Sequence, residues 1–224
     1  MKIYAINGSP RKNSTTARLC MEFLKGAAAC GGTVQTELIH LSDLQYSGCL
    51  ACYACKRKGN ENGRCPVNDG LFPLLPELAQ AGGLAIASPV FLGGVTGMAH
   101  SFLERLLFPF ISFAADYKSI APKSLPIAML YTMMVSEEEM HTYGYPALLA
   151  RLERSVEHVF SKPEIIYCCN APPTDKLDSY NIGIYGEENR QACLKTDLPA
   201  ACQKAAQAGM RMGSLISHKK ELPR

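Results

Sequence analysis

The chain has 224 residues, a formal net charge of +3, 47% hydrophobic and 19% charged residues. This balance describes a globular protein with a sizeable core, room for one doubly wound unit over 1–224, and it excludes a basic nucleic-acid surface and a disordered polar chain. The chain enters a strand at once without a charged leader, and no apolar run nears the ~18 residues of a membrane span, so a cytoplasmic protein with no membrane and no nucleic-acid partner is expected.

The first eighteen residues, MKIYAINGSPRKNSTTAR, pass from strand to polar loop to helix. Ile3 to Ile6 is the apolar run of a buried parallel strand, and Gly8 turns the chain out of the sheet. Ser9, Arg11, Asn13, Ser14, Thr15 and Thr16 then collect hydroxyls, an amide and a cation at a helix N-terminus. Unpaired N–H groups there make a phosphate cradle; the alternative is an ordinary Ser/Thr-capped turn. Neither GxxxxGK[ST] nor GxGxxG is present, so nucleoside-triphosphate and dinucleotide loops are not indicated. Leu19, Phe23 and Ala27 carry the first helix, which Gly31-Gly32 ends. Val34 to Leu41 reads as a second strand at a sheet edge, with His40 a solvated side chain.

Residues 46–70 lack periodicity and form a long Gly- and Asn-marked loop, after which Asn68-Asp69-Gly70 caps a short helix over Leu71 to Gln80. Gly83 to Pro89 is the next buried strand, followed by a Gly-rich loop and a helix from Met98 to Leu107. Pro126 to Thr132 is the fourth strand, and Glu137 to Glu139 is expected as a solvated loop. A helix over Leu148 to Phe160, a strand over Ile165 to Cys169, a covering loop over 170–189 and a final helix over Leu198 to Leu215 complete the pattern. The tail from Ser217 is basic and frayed. Five strand–helix alternations predict an α/β fold, a doubly wound five-stranded parallel sheet with helices on both faces and a Cys-rich insertion after the second strand. Loops after the first, third and fourth strands should meet at one site beyond the strand ends, with 136–224 as a C-terminal extension.

Ten cysteines are many for a reducing compartment, where clustered thiols point to metal or redox chemistry. Cys49-x2-Cys52-x2-Cys55-x9-Cys65-Pro66 places three thiols two residues apart and a fourth further on, similar to ferredoxin runs. An iron–sulfur cluster is favoured; zinc and free or redox-active thiols remain open. Cys168 and Cys169 face opposite sides of a strand and read as structural, as do Cys20, Cys30, Cys193 and Cys202. Lys56, Arg57 and Lys58 are candidates for steering an acidic partner, or simply solvated charges. His100 reads as a helix-surface residue, and His141 and His158 have no partner at ligand spacing.

GSPRKNSTT at 8–16, SPVFLGGVTGMAHSFLERL at 88–106 and YTMMV at 131–135 resemble the flavodoxin-like NAD(P)H-dependent FMN reductase family. The resemblance implies FMN, with its phosphate on Ser9, Arg11, Asn13, Ser14, Thr15 and Thr16, and its ring against Pro89, Val90, Phe91, Leu92 and Gly93, flanked by Thr132, Met133 and Met134. Core packing is the alternative for the two methionines. With the Cys-rich loop added, the chain resembles the iron–sulfur flavoprotein subgroup. That implies a [4Fe-4S] cluster on Cys49, Cys52, Cys55 and Cys65 and electron transfer in a homodimer or homotetramer, for which the apolar run Phe108 to Phe113 is either a candidate surface or a buried helix end. The donor implied is NAD(P)H or reduced ferredoxin, and the acceptor is a small molecule or a protein. No side-chain acid or base is assigned. A cluster-free FMN or quinone reductase and a flavodoxin-type carrier or redox-sensing module are the other readings.

Overall fold

The computed structural model describes residues 1–31, 34–59, 63–174 and 176–218. Gly32, Asn60, Asn62 and the basic tail from Lys219, all invoked above, lie outside the described residues. Strands β1 (Lys2–Asn7), β2 (Gln35–His40), β3 (Gly83–Phe91), β5 (Ile127–Thr132) and β6 (Glu164–Cys168) form a parallel sheet, and the two-residue β4 (Gly94–Val95) runs antiparallel to the end of β3. The order β2-β1-β3-β5-β6 is the flavodoxin-like one, with its switch point between β1 and β3. The second strand lies at an edge, as its polar alternation predicts.

Side-chain alternation divides the core into two layers. Ile3 and Ala5 of β1, Ala85 and Ala87 of β3, and Ala128 and Leu130 of β5 face α1 (Thr15–Ala28) and α7 (Leu198–His218). Tyr4, Ile6, Leu84, Ile86, Ile127 and Met129 face the opposite layer. That layer is built from α2 (Leu74–Ala79), α3 (Gly97–Leu107) and α5 (Tyr145–Val159), with the short helix α4 (Glu137–Thr142) adding Met140. The alanine-rich face lets α1 and α7 sit close to the sheet and to each other. A Cβ at Gly26 would lie 1.9 Å from the carbonyl oxygen of Ala206, so only glycine allows this backbone approach.

Several boundaries differ from the sequence expectation for definite reasons. The helix expected from Leu71 begins at Leu74, after Pro73 at its N-cap position. Glu137 to Glu139 are not loop: Ser136 caps them in a reciprocal capping box with Glu139, and they form the first turn of α4, where negative charge suits the helix dipole. His40 is not simply solvated. It is half-buried, and its Nδ1 lies 2.9 Å from Asn7 Nδ2. The expected covering loop contains a 3-10 turn at Leu177–Ser179 and the first residues of α6 (Glu187–Ala192), which runs through a π turn, Cys193–Asp197, into α7. Cys168 and Cys169 join opposite core layers, as the alternation requires. Among the described residues no helix is long and apolar enough to cross a membrane.

Candidate cofactor cavity and cysteine loop

β1 ends in Asn7, wholly buried, whose Oδ1 accepts from Ser9 N at 3.1 Å and starts the turn. Gly8 is required by proximity and not by an unusual φ: a Cβ there would meet both Ala87 O and Ala99 Cβ at 2.8 Å. The loop therefore lies flat against β3 and α3. Ser9 Oγ accepts from Arg11 N (3.2 Å), and Ser14 caps α1 by accepting from Ala17 N (3.1 Å). The first-turn N–H groups of α1 have no intrahelical partners, so this end presents donors and partial positive charge.

These residues open onto a cavity of about 550 Å³ beyond the carboxyl ends of β1, β3 and β5. Ser9, Arg11, Ser14, Thr15 and Thr16 line one side; Pro89, Val90, Phe91, Thr132, Met133 and Met134 line the other. Three loops distant in sequence thus meet at the switch point. Two bonds join them. Thr96 Oγ1 donates to Gly8 O at 2.7 Å, and Thr16 Oγ1 lies 2.8 Å from Thr132 Oγ1.

Three residues expected here are placed elsewhere. Asn13 lines a neighbouring cavity of about 540 Å³ with Lys12, Arg18 and His40. Leu92 (φ 52°) and Gly93 (φ 78°) form the tip of the β3–β4 hairpin, and Leu92 is fully exposed. Two consecutive left-handed residues make the tight turn that sends this tip outward. Met133 is buried in the core with one side on the cavity, so packing and lining coexist. His100 is exposed on α3, 3.7 Å from Glu104, as a surface residue.

The far wall was not named from sequence. Ala171, Pro172, Pro173, Thr174, Tyr180 and Ile182 close it, and the buried Asn170 anchors them in a left-handed conformation (φ 50°). Its Nδ2 donates to Asp197 Oδ2 (2.7 Å), its Oδ1 accepts from Asn189 Nδ2 (3.1 Å), and its carbonyl accepts from Tyr185 Oη (2.7 Å). The polar, Tyr- and Gly-rich composition of 170–189 marks a cover, but nothing local identifies Asn170 as its hub. The cavity's size and chemistry suit FMN. Hydroxyls, free N–H groups and Arg11 gather on one side, apolar groups on the other, and among the described residues no carboxylate lines it.

The cysteine loop is closed at its base by Gly70 N donating to Gln45 O (2.9 Å). Ala51 (φ 50°) and Tyr53 (φ 54°) are left-handed non-glycine residues inside Cys49-x2-Cys52-x2-Cys55. They coil the segment so that Cys49, Cys52, Cys55 and Cys65 all line one small pocket. Cys49 and Cys52 are exposed, whereas burial pushes the Cys55 thiol above its ordinary value, opposed by the charge of Lys56. Among the described residues no three such groups converge closely enough to hold a single metal ion. Four thiols lining one pocket are a donor set that suits a four-iron cluster and a four-cysteine zinc site alike. The space between the thiols is only about 20 Å³, room for one water.

Aromatic groups roof this loop. Tyr53, Phe108 and Phe113 pack edge to face, with centroids 5.4–6.3 Å apart. Lys56 turns inward beneath them, donating to the carbonyls of Phe108 (2.5 Å), Pro109 (3.2 Å) and Ile111 (2.6 Å). It is therefore not a free steering charge; Arg57 and Lys58 remain exposed. The run Phe108 to Phe113 is partly a docking face for this loop, with Phe110 buried against Phe160 and Phe113 half-exposed.

Comparison with known proteins agrees with this architecture. A 35% identical stretch of 105 residues, covering 47% of this chain and 51% of the relative, matches an iron-sulfur flavoprotein of Methanocaldococcus jannaschii. One from Clostridioides difficile is 29% identical over 143 residues, 60% of this chain and 62% of the relative. The chain thus spans about half the length of the curated relatives it matches. The solved NAD(P)H:quinone oxidoreductase from Methanothermobacter marburgensis superposes with a TM-score of 0.66 at 13% identity over 95% of this chain and 96% of that one, a likeness of fold. The model of the NADPH-dependent FMN reductase family matches residues 1–145, and the chain belongs to that family of flavin-dependent oxidoreductases.

Proposed function

We propose that this protein is an FMN-dependent oxidoreductase that also carries a [4Fe-4S] cluster on Cys49, Cys52, Cys55 and Cys65 and moves electrons between the two. One observation carries the reading: a flavin-sized cavity and a four-cysteine pocket occur on the same chain. When bound, FMN supplies two-electron chemistry and the cluster single-electron transfer.

In this reading the chain binds, orients and excludes water. Ser9, Ser14 and Thr15 offer hydroxyls to the phosphate, Arg11 offsets its charge, and the first turn of α1 supplies N–H donors. Thr16 acts mainly from below, its hydroxyl engaged by Thr132. Pro89, Val90, Phe91 and Met133 give the ring an apolar wall, and Pro172, Pro173 and Tyr180 shield the other side. No side-chain acid or base is needed. The donor is NAD(P)H, as the family implies, or reduced ferredoxin, and Arg57 and Lys58 suit encounter with an acidic protein. Assembly as a homodimer or homotetramer and a reducing, cytoplasmic setting belong to the same proposal; ten free thiols fit such a compartment.

A cluster-free NAD(P)H:FMN or quinone reductase is the competing reading, favoured by the small space between the thiols. Anaerobic purification, absorption spectra and analysis of flavin, iron and acid-labile sulfide separate the two. The first predicts about four irons and four sulfides per chain beside one FMN. Flavin bleached by NADPH with no iron or sulfide after reconstitution selects the second.

A further inference from the structure

Arg105 is a cation on the core-facing stripe of α3, with Phe102, Leu103 and Leu106 around it, and it is 1% exposed. A buried guanidinium persists only if its donors are satisfied. All five of its N–H donors have acceptors. Nη1 donates to Ser47 O (3.1 Å) and Asp69 Oδ2 (2.6 Å), and Nη2 to Val67 O (3.2 Å) and Asp69 Oδ1 (3.2 Å). Nε, the remaining donor, points at Cys65 Sγ, 3.2 Å away.

The acceptors are not scattered. Ser47 precedes the first cysteine, and Val67 and Asp69 follow the last, so one side chain grips both arms of the loop. Next to it Glu104 accepts from Cys49 N at 2.9 Å, so consecutive residues of α3 hold the first and fourth cysteines. The Asp69 carboxylate balances the guanidinium, leaving the Nε–H as a charge-assisted donor to sulfur.

We propose that Arg105 is a positioning residue for the iron–sulfur site: it fixes the two arms of the cysteine loop and sets the cluster's potential through its hydrogen bond to Cys65. This rests on the cluster reading above. A donor to a ligating sulfur withdraws electron density and favours the reduced, more negative state, so it raises the potential. Asp69 opposes that effect. Lysine cannot reproduce the five-donor fork, so Arg105→Lys keeps the charge but loses the geometry.

The test compares wild type, Arg105→Lys and Asp69→Asn, anaerobically reconstituted with iron and sulfide. The midpoint potential is measured by titration, and hydrogen exchange over 47–69 is followed in each protein before reconstitution. The expected result is a potential shifted negative in Arg105→Lys and positive in Asp69→Asn, opposite signs that loss of packing alone does not produce. Faster exchange confined to 47–69 is expected in both. Potentials equal to wild type, or shifted in the same direction, overturn the proposal. If neither variant takes up iron, wild-type exchange rates over 47–69 overturn it, and selective acceleration there supports the clamp. If wild type itself takes up no iron or sulfide, the cluster reading fails, and with it the proposed control of potential.

Discussion

Thr16 and Thr132, 116 positions apart in sequence, share a buried hydrogen bond of 2.8 Å between their hydroxyls. The bond ties the first turn of α1 to the end of β5 and so links the two sides of the cavity.

Replacing only one partner strands the other hydroxyl in the core, which costs about 1–3 kcal/mol, whereas replacing both with an apolar residue of the same shape is nearly neutral. Thr132→Val or Thr16→Val alone should therefore lower the melting temperature and weaken FMN binding several-fold. The double valine variant should recover the stability without recovering all of the affinity. Thermal melts with flavin titrations check this. Equal stability of the single and double variants would mean the bond is not formed in solution.

The elements of the sheet were legible because buried parallel strands are continuous apolar runs: Ile3 to Ile6, Leu84 to Ala87 and Ala128 to Tyr131 announce themselves. Helix α4 was legible in principle, since Ser136 and Glu139 stand at capping-box spacing, but three adjacent glutamates suggest solvent more readily than structure. The cavity was legible where a loop follows a strand. It was not legible at Asn170, whose partners Asn189 and Asp197 come from a later helix and turn. Arg105 left one trace, a charge on an apolar stripe, but its pairing with Asp69, 36 positions away, is fixed only by tertiary structure. Leu92 and Gly93 form a tight hairpin tip that the sequence does not distinguish from a Gly-rich loop, because the two have similar composition.

Asn170 offers a way to loosen the cavity wall without touching the lining. Asn170→Gly keeps the left-handed backbone accessible but loses the bonds to Asp197 and Asn189, worth about 1–2 kcal/mol together. The global melting temperature should fall by a few degrees, while limited proteolysis within 171–186 and the FMN dissociation rate both rise. If the cleavage pattern and the off-rate stay at wild-type values, the segment is held by its apolar contacts alone.

Glu153 of α5 should make stability depend on pH. Burial raises its pKa, a shift that the hydroxyl of Tyr131 and the charge of Arg154 oppose without cancelling, and its Oε1 is buried without a hydrogen-bond partner among the described residues. An acid whose folded pKa exceeds its unfolded one binds its proton more tightly when folded. Stability is therefore lost as pH rises from the ordinary glutamate range through the raised folded value. Glu153→Gln lacks that loss. Melting temperatures of the two proteins should lie close together at low pH and separate as pH rises, with the Gln variant the more stable at neutrality. A constant gap across the titration would show that Glu153 is solvated when the protein is folded.

The coil of the cysteine loop depends on Ala51 and Tyr53 holding positive φ, a conformation costing about 1–3 kcal/mol for each non-glycine residue. Glycine relieves most of that strain, and a β-branched residue increases it. Ala51→Gly should retain the wild-type iron and sulfide content, with stability changed by no more than about 1 kcal/mol, since relief of strain and added chain entropy nearly offset. Ala51→Val should force the segment out of its coil, turning Cys49 and Cys52 away from Cys55 and Cys65 and reducing iron uptake at least several-fold. The fold should persist, because residue 51 is exposed and lies outside both core layers. Iron per chain after anaerobic reconstitution, with a far-ultraviolet spectrum of each variant, decides the matter. Equal loading of the glycine and valine variants would mean that the coil at residue 51 is not what brings the four thiols together.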